Sequence, residues 1–258
     1  MIRKRIQRQV RAMSNSPLVT YTRLSPNRTA PRQGKIKNII IHHMAGCLTV
    51  QQCGAVFASR RRNASSNYGV DSSGAIGLYV SEKNRAWTTG NRIDHSSVTI
   101  EVANSKTGGN WPVSDKALNA TIRLCADICR RNGIKKLNYT GDKSGNLLMH
   151  RWYQQTACPG PYLAGKFKYI ADQVNILLGA SGSTKDENGG STSKLLKVGA
   201  KIKIRKNACQ YGSSKHFSSF VYDRTYKVKS IEGSRVAFMT TDGKTTIGAV
   251  SRQDCIVQ

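Results

Sequence analysis

An α/β architecture, a central mixed β-sheet flanked by helices with a small all-β barrel added, is the fold class this sequence predicts. Three observations predict it. Between residues 16 and 179, short runs of alternating polarity interleave with segments of helical period. Residues 180–193 (ASGSTKDENGGSTS) then lack any large apolar residue, as a flexible linker does. Beyond them, residues 194–258 carry only short β-rich runs.

Taken in order, residues 1–15 form a basic extension that begins MIRKRIQRQVR and lacks the apolar stretch of a signal peptide. Lys37 to His42 (KNIIIH) reads as a buried strand, and Thr49 to Arg62 as a helix with Val50, Cys53, Val56 and Phe57 on one face. Tyr68 and Val70 lead into the turn Asp71-Ser72-Ser73-Gly74, and Ile76, Leu78 and Val80 alternate after it, which is a hairpin pattern. From Ser97 to Ala103, Val98, Ile100 and Val102 fall on one face and Thr99, Glu101 and Ala103 on the other. A helix is expected from about Ser114, its N-cap, to Arg131, ending near Gly133. A last one is expected from about Pro161 to Leu178, stopped by Gly179. After the linker, AKIKIRKNA, SFVYDRTYKVKSI, SRVAFMT and TTIGAV suggest about five short strands, with turns at Glu232-Gly233 and Asp242-Gly243, and hence a small barrel.

Composition narrows the function classes. A net charge of +27 on 258 residues predicts attraction to a polyanion, either nucleic acid or an anionic bacterial wall. The segment 194–258 alone holds 13 Lys/Arg against 4 Asp/Glu. No helix-turn-helix or RNA-binding signature accompanies the charge, and aromatics do not interleave with the basic runs. No apolar run approaches the roughly 18–20 residues of a membrane span. Seven cysteines at irregular spacing do not make a disulfide framework. Cys125 and Cys129 recur at helical spacing with Leu118 and Ile122, as core residues do. Cys209 and Cys255 are read as structural.

Two short motifs carry chemistry. Ile39-Ile40-Ile41-His42-His43-Met44-Ala45-Gly46 ends a buried strand in two histidines, and strand ends hold ligands rigidly at the edge of a site. Met149-His150-Arg151-Trp152 is followed by Thr156-Ala157-Cys158-Pro159-Gly160, where Pro and Gly force a turn that puts Cys158 on a loop. Imidazole and thiolate are preferred zinc ligands, and three of them with an open fourth position is the catalytic rather than the structural pattern.

IIIHHMAG, SSNYGV, SVTIEVANS and MHRWYQQTACPGPYL, in that order, resemble the type 2 N-acetylmuramoyl-L-alanine amidase family, which includes phage endolysins and peptidoglycan recognition proteins. The resemblance covers about Ser16 to Gly179. It implies a zinc hydrolase that cuts the amide between N-acetylmuramic acid and L-alanine of peptidoglycan. It implies His42, His150 and Cys158 as metal ligands, with His43 the second choice for the first position. It puts the family's catalytic tyrosine on Tyr68, a proton-transferring carboxylate on Glu101, and a supporting residue on Thr156. Cysteine retention speaks against a non-catalytic peptidoglycan-binding relative. Thr88 stands where the family often has a substrate-contacting histidine, and His95 is out of register. The segment 194–258 resembles bacterial SH3-like wall-binding domains. These resemblances imply an endolysin of a phage or prophage, made in the host cytoplasm and released to act on Gram-positive walls and their anionic polymers.

Overall fold

The computed structural model describes residues 15–179 and 196–258, apart from 207, 212, 214, 233, 234 and the side chain at 253. The linker expected over 180–193 and the basic extension expected over 1–15, Asn15 excepted, lie outside the described residues. The chain divides into two compact units, Met1–Ser183 and Thr184–Gln258.

In the first unit, β1 (Tyr21–Thr22), β3 (Asn38–His43), β4 (Tyr68–Val70), β5 (Ile76–Leu78), β7 (Ser97–Val102) and β8 (Leu147–Met149) form one sheet in the order β1-β5-β4-β7-β3-β8. Only the β4–β5 pair is antiparallel, so the sheet is mixed. β2 (Arg28–Thr29) and β6 (Arg85–Ala86) pair separately. Among the described residues of this unit, three α-helices accompany the sheet: α1 (Val50–Ala58), α2 (Asp115–Asn132) and α3 (Gly160–Leu178). Arg60–Arg62, read as the end of the first helix, forms a separate 3-10 turn after Ser59.

Caps set the helix limits. Thr49 Oγ1 accepts from Gln52 N while Gln52 Oε1 accepts from Thr49 N, a reciprocal capping box. Ser114 Oγ accepts from Ala117 N at the start of α2. Gly133 and Gly179 end α2 and α3 in the left-handed region, where a Cβ is unfavourable.

The two sheet faces are sorted by strand alternation. Ile39, Ile41, Val98, Ile100, Val102, Tyr68 and Val70 share one buried cluster with Leu124 and Ile128 of α2 and Phe167 and Ile170 of α3. The opposite face meets α1, whose Cys53 and Phe57 pack with Tyr79. Tyr79 lies across the paired glycines Gly69 and Gly77, where any Cβ would come within 2.6 Å of its hydroxyl. That hydroxyl donates to Val50 O at 2.9 Å, fixing the start of α1 over the sheet.

In the second unit, β9 (Lys201–Ile204), β10 (Thr225–Glu232), β11 (Arg235–Met239), β12 (Thr246–Ser251) and β13 (Cys255–Val257) form an antiparallel sheet in the order β12-β11-β10-β9-β13. Ile202, Val228, Val236, Phe238 and Val250 supply its core. The strand-like run SFVYD folds instead as a helical turn, α4 (Phe220–Asp223), which buries Val221. Val221 and Tyr222 of this turn pack into the core of the sheet.

Candidate metal centre

β3 and β7 are parallel neighbours in register, with His42 paired to Glu101. Both side chains therefore leave the sheet on the face that α1 covers. β8 ends at Met149, so His150 opens the next 3-10 turn at the same sheet end. Cys158 reaches the same place from the loop before α3. The turn is tight: Gly160 has φ +80, and a Cβ there would sit 3.2 Å from the His43 ring.

The donor atoms converge. His42 Nδ1 lies 3.2 Å from His150 Nδ1 and 3.5 Å from Cys158 Sγ. One ligand atom from each of the three residues fits within a mutual distance of 4.8 Å. A tetrahedral zinc, with Zn–N about 2.0–2.1 Å and Zn–S about 2.3 Å, separates two nitrogens by about 3.3 Å and nitrogen from sulfur by about 3.6 Å. The arrangement fits one shared ion. Gln154 Oε1 lies 2.9 Å from His150 Nε2 and holds the proton there, which leaves the Nδ1 lone pair facing the site. His42 is fully buried, and burial, reinforced by the facing His150 and His43, holds its imidazole well below the ordinary range. It is thus neutral, the form that ligates. Burial also pushes the Cys158 thiol up, so it keeps its proton until a cation displaces it.

A cleft of about 250 Å³ opens beside these donors. His43, Leu48, Phe57, Arg62, Glu101 and Thr156 contribute to its walls. Burial pushes the Glu101 carboxyl up to about 8, with the Arg62 guanidinium opposing the rise. Five buried side-chain atoms among the described residues have no hydrogen-bond partner, and three belong to this cleft: His42 Nε2, His43 Nδ1 and Glu101 Oε2. Folds rarely leave such atoms unpaired, so their concentration here points to a ligand-binding role. Thr156 Oγ1 accepts from Cys158 N at 3.2 Å, which leaves its hydroxyl proton to donate.

Tyr68 is the correction. It pairs with Ile100, not Glu101, and so points to the opposite face, among the residues under α2 and α3. Its hydroxyl accepts from Ser16 N and donates to Glu82 Oε1 at 2.7 Å. Glu82 also receives Arg131 and Asn132. Burial and the Glu82 charge push the phenol up, so Tyr68 holds its proton in a closed network away from the cleft. His43, the second choice for the first ligand, turns toward Trp111, their ring centroids 5.3 Å apart. Sequence reasoning missed Gln154 and Arg62. Gln154 could have been found as a polar residue four positions after His150; Arg62 is one cation in a basic run and carries no distinguishing signal.

A family model described as N-acetylmuramoyl-L-alanine amidase matches residues 32–161, half of the chain. No curated protein sequence matches the chain. Among solved structures, that of PlyL is 18% identical, covering 60% of this chain and 96% of the other with a TM-score of 0.50. The PlyG catalytic domain is 18% identical, covering 64% and 97%, also at 0.50. The Staphylococcus aureus hydrolase AmiA, in complex with its ligand, is 19% identical, covering 62% and 83%, again at 0.50. At these identities the structures support the fold, and the matched segment contains His42, Glu101, His150 and Cys158.

Proposed function

Since this chain belongs to the N-acetylmuramoyl-L-alanine amidase family, we propose that it is a zinc hydrolase of peptidoglycan, cutting between the lactyl group of N-acetylmuramic acid and L-alanine. The observation that carries this reading is the His42–His150–Cys158 donor set, spaced for one tetrahedral ion, beside the unpartnered carboxyl of Glu101.

Zinc, when bound, supplies Lewis acidity and lowers the pKa of water to about 7. The chain's own residues do the rest. Gln154 keeps the His150 ring in its ligating tautomer. Arg62 favours the carboxylate form of Glu101, and a cation held by the three ligands would favour it further. Glu101 then accepts a proton from the attacking water and delivers it to the departing alanine nitrogen. Thr156 donates its free hydroxyl proton to the developing oxyanion. His42 and Cys158 are buried on one side of the site, while half-buried His150 and the cleft leave the other side open to an entering peptide.

In this reading residues 16–179 are the catalytic domain, 180–193 a tether, and 194–258 an SH3-like wall-binding domain. The five-stranded antiparallel sheet of the second unit and its excess of basic residues support that role. A tether raises the effective concentration of the catalytic domain on an insoluble wall. The biological setting we infer is lysis of Gram-positive cells by a phage or prophage endolysin. No described helix is long and apolar enough to cross a membrane.

Digestion of purified walls, followed by mass spectrometry, tests the bond. New L-alanine amino termini without new reducing sugars are expected. New reducing ends, or cuts within the stem peptide, would contradict the assignment, and intact walls would favour a binding-only protein.

A further inference from the structure

A cavity larger than the metal cleft, about 650 Å³, opens at the other end of the sheet. Its walls come from the segment leading into β3, from Lys83, from the turn after α2, and from Asn146, which precedes β8. β3 and β8 are parallel, so residues preceding them lie at the end opposite His42 and His150. At about 3.3 Å per residue, the length of β3 separates the two sites by roughly 17 Å.

Lys35, Lys37, Lys83, Lys135 and Lys136 line this groove, and all five are exposed. Among the described residues none of them forms an ion pair. The one carboxylate in the walls, Glu82, is buried and already engaged by Arg131, Asn132 and Tyr68. Behind the lysines, the Arg32 guanidinium donates to the backbone oxygens of Glu82, Asn84, Asp94, His95 and Ser97, which fixes one more positive charge in place. Ile36 and Ile134 provide an apolar floor. No aromatic side chain lines the groove, so it offers no platform on which bases could stack.

A concave site with five uncompensated ammonium groups, an apolar floor and no stacking surface matches a flexible polyanion whose charges are separated by aliphatic units. We propose that this groove binds a polyol- or sugar-phosphate polymer of the bacterial wall, holding the catalytic unit on the wall independently of the metal cleft. The choice of a wall polymer rests on the proposed amidase function; the preference for a non-aromatic phosphodiester rests on the groove.

The test uses the full chain and a variant with all five groove lysines changed to Gln. The control variant carries Lys106→Gln, Lys116→Gln, Arg123→Gln, Lys143→Gln and Lys168→Gln, an equal loss of exposed charge in the first unit outside the groove. Circular dichroism checks folding, and a milder Lys135→Gln, Lys136→Gln pair serves if the fivefold variant is unstable. Each is titrated with poly(glycerol phosphate) and with single-stranded DNA at several salt concentrations. The groove variant is expected to lose about tenfold or more in affinity for poly(glycerol phosphate), with a salt slope lower by about 0.7 per lost phosphate contact. The control should lose far less, and cleavage of a soluble muramoyl peptide by the groove variant should be unchanged. Equal losses in both variants would overturn the proposal by showing unspecific charge. Tighter binding of DNA than of poly(glycerol phosphate), lost with the groove lysines, would overturn the choice of partner. If no chain cleaves the muramoyl peptide, the amidase reading fails while the titrations still decide the groove.

Discussion

Two polar clusters on opposite faces of the central sheet are buried on opposite terms. Under α2 and α3, Tyr68, Glu82, Arg131 and Asn132 form a network in which the Tyr68 hydroxyl and both Glu82 oxygens have partners. Under α1, His42 Nε2 and Glu101 Oε2 are buried without any. Strands only one register step apart thus carry a satisfied network on one side and an unsatisfied pair on the other. A satisfied network is stabilising and inert, because each proton and charge already has its place. An unsatisfied one costs stability, and a fold retains it where a ligand completes it.

Substitutions can break that contrast, beginning with the largest effect. Cys158→Ser and His42→Ala should each abolish zinc retention, read by elemental mass spectrometry, and lower wall hydrolysis by about a thousandfold or more. Glu101→Gln should keep its zinc while kcat falls about 10²–10⁴-fold; little loss of turnover would remove Glu101 from the chemistry.

The same carboxyl makes a pH prediction for the metal-free chain. Its folded pKa is raised from the ordinary 4.5 to about 8, so the folded chain keeps a proton that the unfolded chain releases. Its penalty is absent below pH 4.5, grows as pH rises, and levels off above about 8. Denaturant titrations should therefore show metal-free Glu101→Gln gaining on the unsubstituted chain across that window, by several kcal/mol at most. A constant difference between the two chains would contradict burial as the cause.

Gln154→Ala should weaken zinc binding by about 10–100-fold, measured by competition with a chelator, because it only orients His150. Tyr68→Phe should have the smallest effect on catalysis: about 1–3 kcal/mol of stability lost by leaving Glu82 and Ser16 N short of a partner, with kcat/KM per folded molecule unchanged. A collapse of activity without loss of stability would return Tyr68 to the site and erase the contrast between the faces.

Much of this was legible in the sequence, for a physical reason. Period-two alternation within Ser97–Val102 puts Glu101 on the face opposite Ile100, and that parity is local. Which face Tyr68 joins depends on its register with a strand some thirty residues away, and alternation within Tyr68–Val70 carries no information about that. Gly133 and Gly179 announce helix ends because few other residues tolerate the left-handed cap. The two-residue strands β1, β2 and β6 are too short to show a period, and Leu147–Met149 is apolar throughout. Phe220–Asp223 misleads because a short apolar run suits a helical turn as well as a strand. The basic groove could not be read at all: its lysines are scattered from Lys35 to Lys136 and only the fold gathers them.

The most direct test of the open metal centre is X-ray absorption at the zinc edge of the purified chain, paired with metal stoichiometry. One zinc per chain, bound by one sulfur, two imidazole nitrogens and one light, exchangeable atom, is the predicted result. A chain that stays zinc-free after loading, or a zinc closed by four protein ligands, would contradict it.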